Sequence, residues 1–308
     1  MSLLTIGTVA FDDIETPYGK AERVVGGAAL YAGLAASYFT PEIQLVSVIG
    51  EDYDQKTLEL LKNRGVDIEG IEVVKGGKSF FWAGKYHTNM NSRDTLATEL
   101  NVLADFNPVL PEKYKNANYV LLGNLTPDVQ MQVINQLTSK PKLIAMDTMN
   151  FWMDIAMDSL KKVLKKIDLL TINEEEARQL SGEHSLVKAA KVIHAMGPQF
   201  LVIKKGEHGA LLFHEEGVFF APALPLEEVF DPTGAGDTFA GGFMGYIAAT
   251  NDTSFTNMKR AIIYGSAMAS FCVEQFSIKA IENLSKEAIN ARVKEFESLT
   301  RFDTELDW

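Results

Sequence analysis

Two aspartates bracket a glycine run in Asp231-Pro-Thr-Gly-Ala-Gly-Asp237, and an apolar stretch from Thr238 to Ala249 follows it. Glycine costs about 1 kcal/mol relative to alanine inside a helix, so folding alone gives little reason for this composition. The preceding LEEVF (226–230) reads as a short strand and the apolar stretch as a helix. A strand, a glycine turn and a helix start bring unpaired backbone N–H groups and the positive end of a helix dipole to one point. That combination binds anions. A P-loop would need G-x-x-x-x-G-K-[ST], which occurs nowhere in the chain. The dinucleotide pattern G-x-G-x-x-G fails at its sixth position, where Phe239 stands.

The pattern D-[PT]-x-G-A-G-D-x-F-x-G-G fits at every position from Asp231 to Gly242. It is a signature of the ribokinase-like, or PfkB, family of carbohydrate kinases, which this sequence resembles. The resemblance implies that the amides of Gly234, Ala235 and Gly236 form an anion hole for the transferring γ-phosphoryl group. It makes Asp237 the base for the acceptor hydroxyl and places Thr233 on the nucleotide side. These roles suit phosphoryl transfer, which needs charge stabilisation, alignment and a carboxylate near the attacking oxygen.

Other stretches extend the resemblance over nearly the whole chain. GTVAFD (7–12) is similar to the family's first strand, whose terminal aspartate, here Asp12, grips sugar hydroxyls; a carboxylate accepts two hydrogen bonds from a vicinal diol. RVVGGAALYAGLAAS (23–37) is similar to the N-terminal signature, making Gly26 and Gly27 a hinge that also approaches the sugar. Two family asparagines of the acceptor pocket are replaced, by Tyr31 and by Ala10. Tyr31 reads equally as acceptor contact or as helix packing.

NEEE (173–176) resembles the N-x-x-E motif, implying that Asn173 and Glu176 place Mg²⁺ and phosphate through water. The same spacing is a capping box, in which Asn and Glu satisfy each other's helix-start amides. IKKGEHGA (203–210) resembles the nucleotide loop, with Gly206 and Gly209 admitting ATP and Lys205 facing phosphate or solvent. Asp147, Asn150 and Asn124 follow strand-like runs and are cleft residues without a defined role.

These residues need a scaffold. Short β-rich runs at 3–9, 43–50, 118–123, 142–147, 168–172 and 200–205 alternate with helical stretches. This predicts an α/β fold with a mostly parallel central sheet flanked by helices. Segments 15–25 and about 71–102 lack helical period and are expected to form a small β-sheet lid inserted in a single domain, 1–308. SKEAINARVKEFESLTRF (285–302) reads as an amphipathic helix capped by Ser285.

The net charge of −12 argues against nucleic acid and anionic membranes as partners, because phosphate neutralisation needs clustered Lys and Arg. No apolar run approaches the roughly 20 residues of a membrane span. MSLLTIGTVAFDD lacks a basic n-region, so a cytoplasmic protein is expected. Cys272 stands alone and reads as a small buried hydrophobe, and the five histidines show no metal-ligand spacing. No direct metal ligand is expected, only Mg²⁺ carried with ATP.

Together the resemblance implies ATP-dependent phosphorylation of a hydroxyl on a sugar or sugar-containing small molecule. A nucleoside kinase is the alternative on the same scaffold, with Tyr31 or the aromatics Phe81 and Trp82 stacking on a base. A non-catalytic sugar or nucleotide sensor is the other, against which the intact Asp237 loop argues. The resemblance also admits a monovalent-cation requirement and a homodimer through the lid.

Overall fold

The computed structural model describes residues 1–301. The helix expected over 285–302 runs from Lys286 to Thr300, its last expected residue, Phe302, lying outside the described residues. Ser285 caps it by accepting a hydrogen bond from the Ala288 amide, as expected.

The large sheet contains β1 (Leu3–Ile6), β4 (Ile43–Gly50), β5 (Val66–Val74), β8 (Tyr119–Leu122), β9 (Leu143–Asp147), β10 (Leu169–Asn173), β11 (Phe200–Lys204), β12 (Ala210–His214) and β13 (Gly217–Ala221). Their spatial order is β13-β12-β11-β10-β9-β8-β1-β4-β5. Every pairing from β5 through to β11 is parallel, and the β12–β13 hairpin adds two antiparallel strands at one edge. Both faces are covered, so inner strands such as Leu3–Ile6 are buried at every residue rather than at alternate ones.

Helices α1 (Ala28–Ala36), α2 (Gln55–Asn63), α8 (Ala235–Thr250), α9 (Phe255–Cys272) and α10 (Lys286–Thr300) contribute to the core on one face. The opposite face is packed by α3 (Pro127–Gln136), α4 (Asn150–Ile155), α5 (Met157–Leu164), α6 (Glu174–Ser181) and α7 (Leu186–His194). Period-2 alternation divides the strands between the cores: Leu3 and Leu121 join the first, Leu4 and Leu122 the second.

A second sheet, ordered β3-β2-β6-β7, is built from β2 (Ala10–Thr16), β3 (Gly19–Gly26), β6 (Phe80–Tyr86) and β7 (Arg93–Glu99). Its extent differs from the expected 15–25 and 71–102. It begins at Ala10, because the run read as one strand over 3–9 stops at Ile6, and Asp12 therefore belongs to the small sheet. Ile71–Val74 belongs instead to β5, paired with β4 in the large sheet. A β-like pattern identifies a strand but not the sheet it joins.

The strand expected at 226–230 is absent. Pro222, Pro225 and Pro232 punctuate this stretch, and the Phe230 amide bonds the Val273 carbonyl at 2.8 Å instead of a sheet neighbour.

Candidate active site

The glycine turn is held from beneath. Asp231 is fully buried; its carboxylate accepts from the Thr233 amide at 2.8 Å and from the Ser277 amide at 3.0 Å. Gly234 adopts φ 75°, a left-handed conformation that glycine takes without penalty, and begins α8. A Cβ at Gly234 would lie 2.4 Å from the Tyr31 ring, so the turn rests directly on that aromatic. The Ala235 amide is turned back onto the Pro232 carbonyl at 3.2 Å, while among the described residues the Gly236 amide has no backbone partner outside the helix.

Asp237 stands in the first turn of α8, partly buried. Burial pushes its carboxyl up to about 7, and Asp147 pushes the same way, against the opposing pull of Lys204 and Arg93. Lys204, at the end of β11, bonds the Asp147 carboxylate at 2.9 Å, both side chains being largely shielded from solvent. Burial alone would lower the Lys204 ammonium, but Asp147 and Glu176 outweigh it and hold it above its ordinary value. The lysine brought to the loop is thus Lys204. The expected Lys205 sits half-buried in the next turn, its amide bonded to the Gly209 carbonyl. The two differ only in strand alternation.

Asn173 and Glu176 form a complete capping box: Glu176 accepts from the Asn173 amide and Asn173 accepts from the Glu176 amide, both at 2.8 Å. Glu176 is also buried against the site, and burial, with Asp147 adding to it, raises its carboxyl. The capping and site readings of this motif are therefore compatible. Gly206 and Gly209 both take positive φ in the β11–β12 connection, and Asn91, between β6 and β7, reaches Glu207 there at 3.3 Å.

Asp12 faces the same region from β2 and is 4% exposed. Burial pushes its carboxyl up to about 8, with Asp231, Asp237 and Asp13 adding to the rise. Gly26 makes room for it, since a Cβ there would stand 1.9 Å from Asp12 Oδ2. Gly27 starts α1 at φ 100°, with the Ala29 amide bonded to the Thr8 carbonyl. Ala10 pairs with Gly26 in the β2–β3 ladder. Tyr31 is 1% exposed and its hydroxyl has no hydrogen-bond partner among the described residues.

The small sheet separates the two aromatics named from the sequence. Trp82 is the cross-strand neighbour of Asp12 and shares its face, whereas Phe81 packs against the core. Sequence reasoning did not single out Tyr86 or Arg93. The Thr233 hydroxyl donates to the Tyr86 hydroxyl at 3.2 Å, and Arg93, paired with Tyr86, lies over the Trp82 ring at 5.6 Å. Nothing local marks either residue; only their register opposite the loop does. Asn124 and Asn150 are spent on local structure, Asn124 accepting from Trp152 Nε1 at 2.8 Å and Asn150 donating to Gln179. Buried Gln130, also unsignalled, ties the β8 and β9 ends by donating to the Gly123 and Asp147 carbonyls.

A glycine turn at a helix start, the raised carboxyl of Asp237 beside it, the shielded Lys204 ammonium and the raised carboxyl of Asp12 thus lie in one region, group types that suit phosphoryl transfer to a hydroxyl. The model of the pfkB family of carbohydrate kinases matches residues 3–283. The chain belongs to that family. A cytidine kinase from Thermococcus kodakarensis is 31% identical over 251 residues, 79% of this chain and 87% of that protein. A nucleoside kinase from Methanothermobacter thermautotrophicus is 27% identical over 288 residues, covering 88% of this chain and 89% of its own. Among solved structures, an E. coli candidate ribokinase II in complex with ATP and Mg²⁺ superposes with a TM-score of 0.76 at 20% identity, covering 96% of this chain and 99% of that one. The protein is therefore a sugar or nucleoside kinase with the ribokinase-like fold. No described helix of this pfkB kinase is long and apolar enough to cross a membrane.

Proposed function

We propose that this kinase phosphorylates a nucleoside, transferring the γ-phosphoryl group of ATP to a hydroxyl of the ribose. The observation that carries the reading is the pairing of Asp12 with Trp82. A carboxylate suited to a vicinal diol stands beside an indole suited to a flat base, on one face of one sheet. The name of the cytidine kinase, 31% identical over most of both chains, supports the same class.

Asp12 grips the ribose, Gly26 and Gly27 let it approach the backbone, and the small sheet closes over it as a lid. Water, which would compete as acceptor, is thereby excluded. Asp237 removes the proton of the attacking hydroxyl. The new bond forms between that oxygen and the γ-phosphorus as the bond to the ADP oxygen breaks. The loop at Gly234, Ala235 and Gly236 stabilises the transferring group, Thr233 borders it, and Gly206 and Gly209 leave room for the nucleotide.

Asn173 and Glu176 fit a Mg²⁺ held through water. They are hard oxygen donors, and no group of three His, Cys, Asp or Glu among the described residues could hold the ion directly. When bound, Mg²⁺ supplies charge neutralisation on the phosphates.

The test measures ADP release with cytidine, uridine, adenosine, inosine and free ribose, for the wild type, Trp82→Ala and Asp237→Asn. A nucleoside should be preferred over ribose, and Trp82→Ala should raise its KM roughly tenfold or more, the worth of one stacked base. Asp237→Asn should lower kcat by at least about 10² while ATP affinity holds. Ribose turned over as well as every nucleoside, with Trp82→Ala silent, would overturn the acceptor assignment. Near-normal turnover by Asp237→Asn would overturn the base.

A further inference from the structure

Lys204 pairs with Asp147, but its position does more than join two strands. It ends β11, Asp147 ends β9, and β10 lies between them, so the ion pair spans the carboxyl end of an intervening strand. That strand ends in Asn173, which opens the Asn173/Glu176 cap. On its other side the ammonium lies beneath the glycine loop: a Cβ built on Gly236 would stand 3.1 Å from Nζ. A lysine ammonium has three donors, and among the described residues Nζ makes one hydrogen bond, to Asp147.

Stability does not account for this placement. A cation beside the first turn of α8 is repelled by the positive end of the helix dipole. Buried ion pairs are in addition weak contributors to stability once desolvation is counted. Both positive features converge on one pocket, and an anion entering it relieves the repulsion.

We propose that Lys204 is a catalytic residue of the kinase, meeting the transferring phosphoryl group from the floor of the anion pocket. The inference rests on the reading of Gly234 to Asp237 as the phosphoryl site. As the acceptor oxygen bonds to phosphorus and the bond to the ADP oxygen breaks, negative charge spreads over the equatorial oxygens. The ammonium stabilises that charge and stays protonated throughout, while the acceptor proton goes to Asp237.

Lys204 also helps keep Asp237 ionised. The charged and titratable groups facing Asp237 are Asp147 from β9, Lys204 from β11, Arg93 from β7, Asp12 from β2, Tyr31 from α1 and Cys272 from α9. Lys204 and Arg93 are the cations among them, and Lys204 is the one built into the core sheet. Arg93 enters from the small sheet.

The experiment compares full-length wild type, Lys204→Met, Lys204→Arg and Asp237→Asn. It reads kcat, the pH profile of kcat/KM, the Asp237 carboxyl titration by carbon-13 NMR, and calorimetric affinity for ADP with and without aluminium fluoride. Lys204→Met should lose roughly 10² to 10³ in kcat, the usual cost of removing one donor to a developing anion. Affinity for the aluminium fluoride complex should fall by a far larger factor than that for ADP, with partial recovery in Lys204→Arg. Removing a cation raises a neighbouring carboxyl, so the acid limb and the Asp237 titration should both move to higher pH.

Should Lys204→Met fail to fold because Asp147 is left buried without a partner, the Asp147→Asn/Lys204→Met double variant removes both charges and is measured in its place. Wild-type kcat with an unmoved acid limb would overturn the proposal, and so would equal losses of ADP and aluminium fluoride affinity. If Asp237→Asn turns over normally, the base assignment falls instead, and the aluminium fluoride affinities alone decide the role of Lys204.

Discussion

With its carboxyl raised to about 8 by burial and neighbouring carboxylates, Asp12 is mostly protonated at pH 7, when it donates one hydrogen bond instead of accepting two. Two diol hydroxyls favour the ionised form, so acceptor binding should expel a proton. Calorimetry at pH 7 in buffers of different ionisation enthalpy checks this: a buffer-dependent heat is expected for wild type and a much smaller one for Asp12→Asn. A buffer-independent heat would place the diol elsewhere. Asp237, the proposed base, has its carboxyl raised to about 7 and must be ionised to take a proton, so turnover should rise with pH through that region. Asp12, Asp237, Gly26 and Gly234 were legible because a fixed motif names them. Lys204 was not. In the doublet Lys204-Lys205 only strand alternation distinguishes the residue at the loop from the one in the turn, and alternation cannot be phased before the strand's end is known.

The glycines beyond the loop belong to the helices. A Cβ at Gly241 would lie 2.2 Å from the Ala32 carbonyl oxygen and 2.5 Å from the Ala32 Cα, so α8 lies against the backbone of α1. Gly241→Ala should therefore destabilise the protein by about 1 to 3 kcal/mol through overpacking, although alanine is the better helix former. Chemical denaturation without ligands is the measurement, and an unchanged or higher midpoint would show that the helices can part cheaply. The sequence made α8 readable, since its loop announces it. It left α9 unread, because Ala267, Met268, Ser270, Phe271 and Cys272 are buried on all sides of its C-terminal half and blur the stripe that Met258, Ala261, Ile262 and Gly265 begin. The false strand at 226–230 pairs with no strand; the Phe230 amide bonds the Val273 carbonyl at the end of α9 instead.

At the scale of the whole molecule, the raised carboxyls set how stability varies with pH. Asp12 and Asp237 have folded values of about 8 and 7, far above the ordinary 3.8, so the folded protein holds protons that the unfolded chain has released. Their contribution is complete below about pH 4 and is lost as pH rises through 7 and 8. The ligand-free melting temperature should accordingly fall between pH 5.5 and 8, and Asp12→Asn should flatten that slope; a wild-type midpoint that rises over this interval would contradict the burial of both carboxyls. The alternation of strands and helices made the large sheet legible, and the absence of helical period located the small one, but its bounds depend on long-range pairing that local pattern does not carry. That pairing also orders events in time. Ala10 lies opposite Phe80 in parallel register, so the small sheet joins segments separated by the whole β4–α2–β5 unit. Closing so long a loop costs entropy that only later contacts repay, which makes the β2–β6 junction of the small sheet a late arrival in folding. During synthesis the segment bearing Asp12 emerges early and waits, with an unpaired β2 edge, until Phe80–Tyr86 has left the ribosome. The sheet proposed to cover the acceptor is thus the part that a nascent chain leaves exposed longest, and the first place to look for chaperone dependence or proteolytic loss.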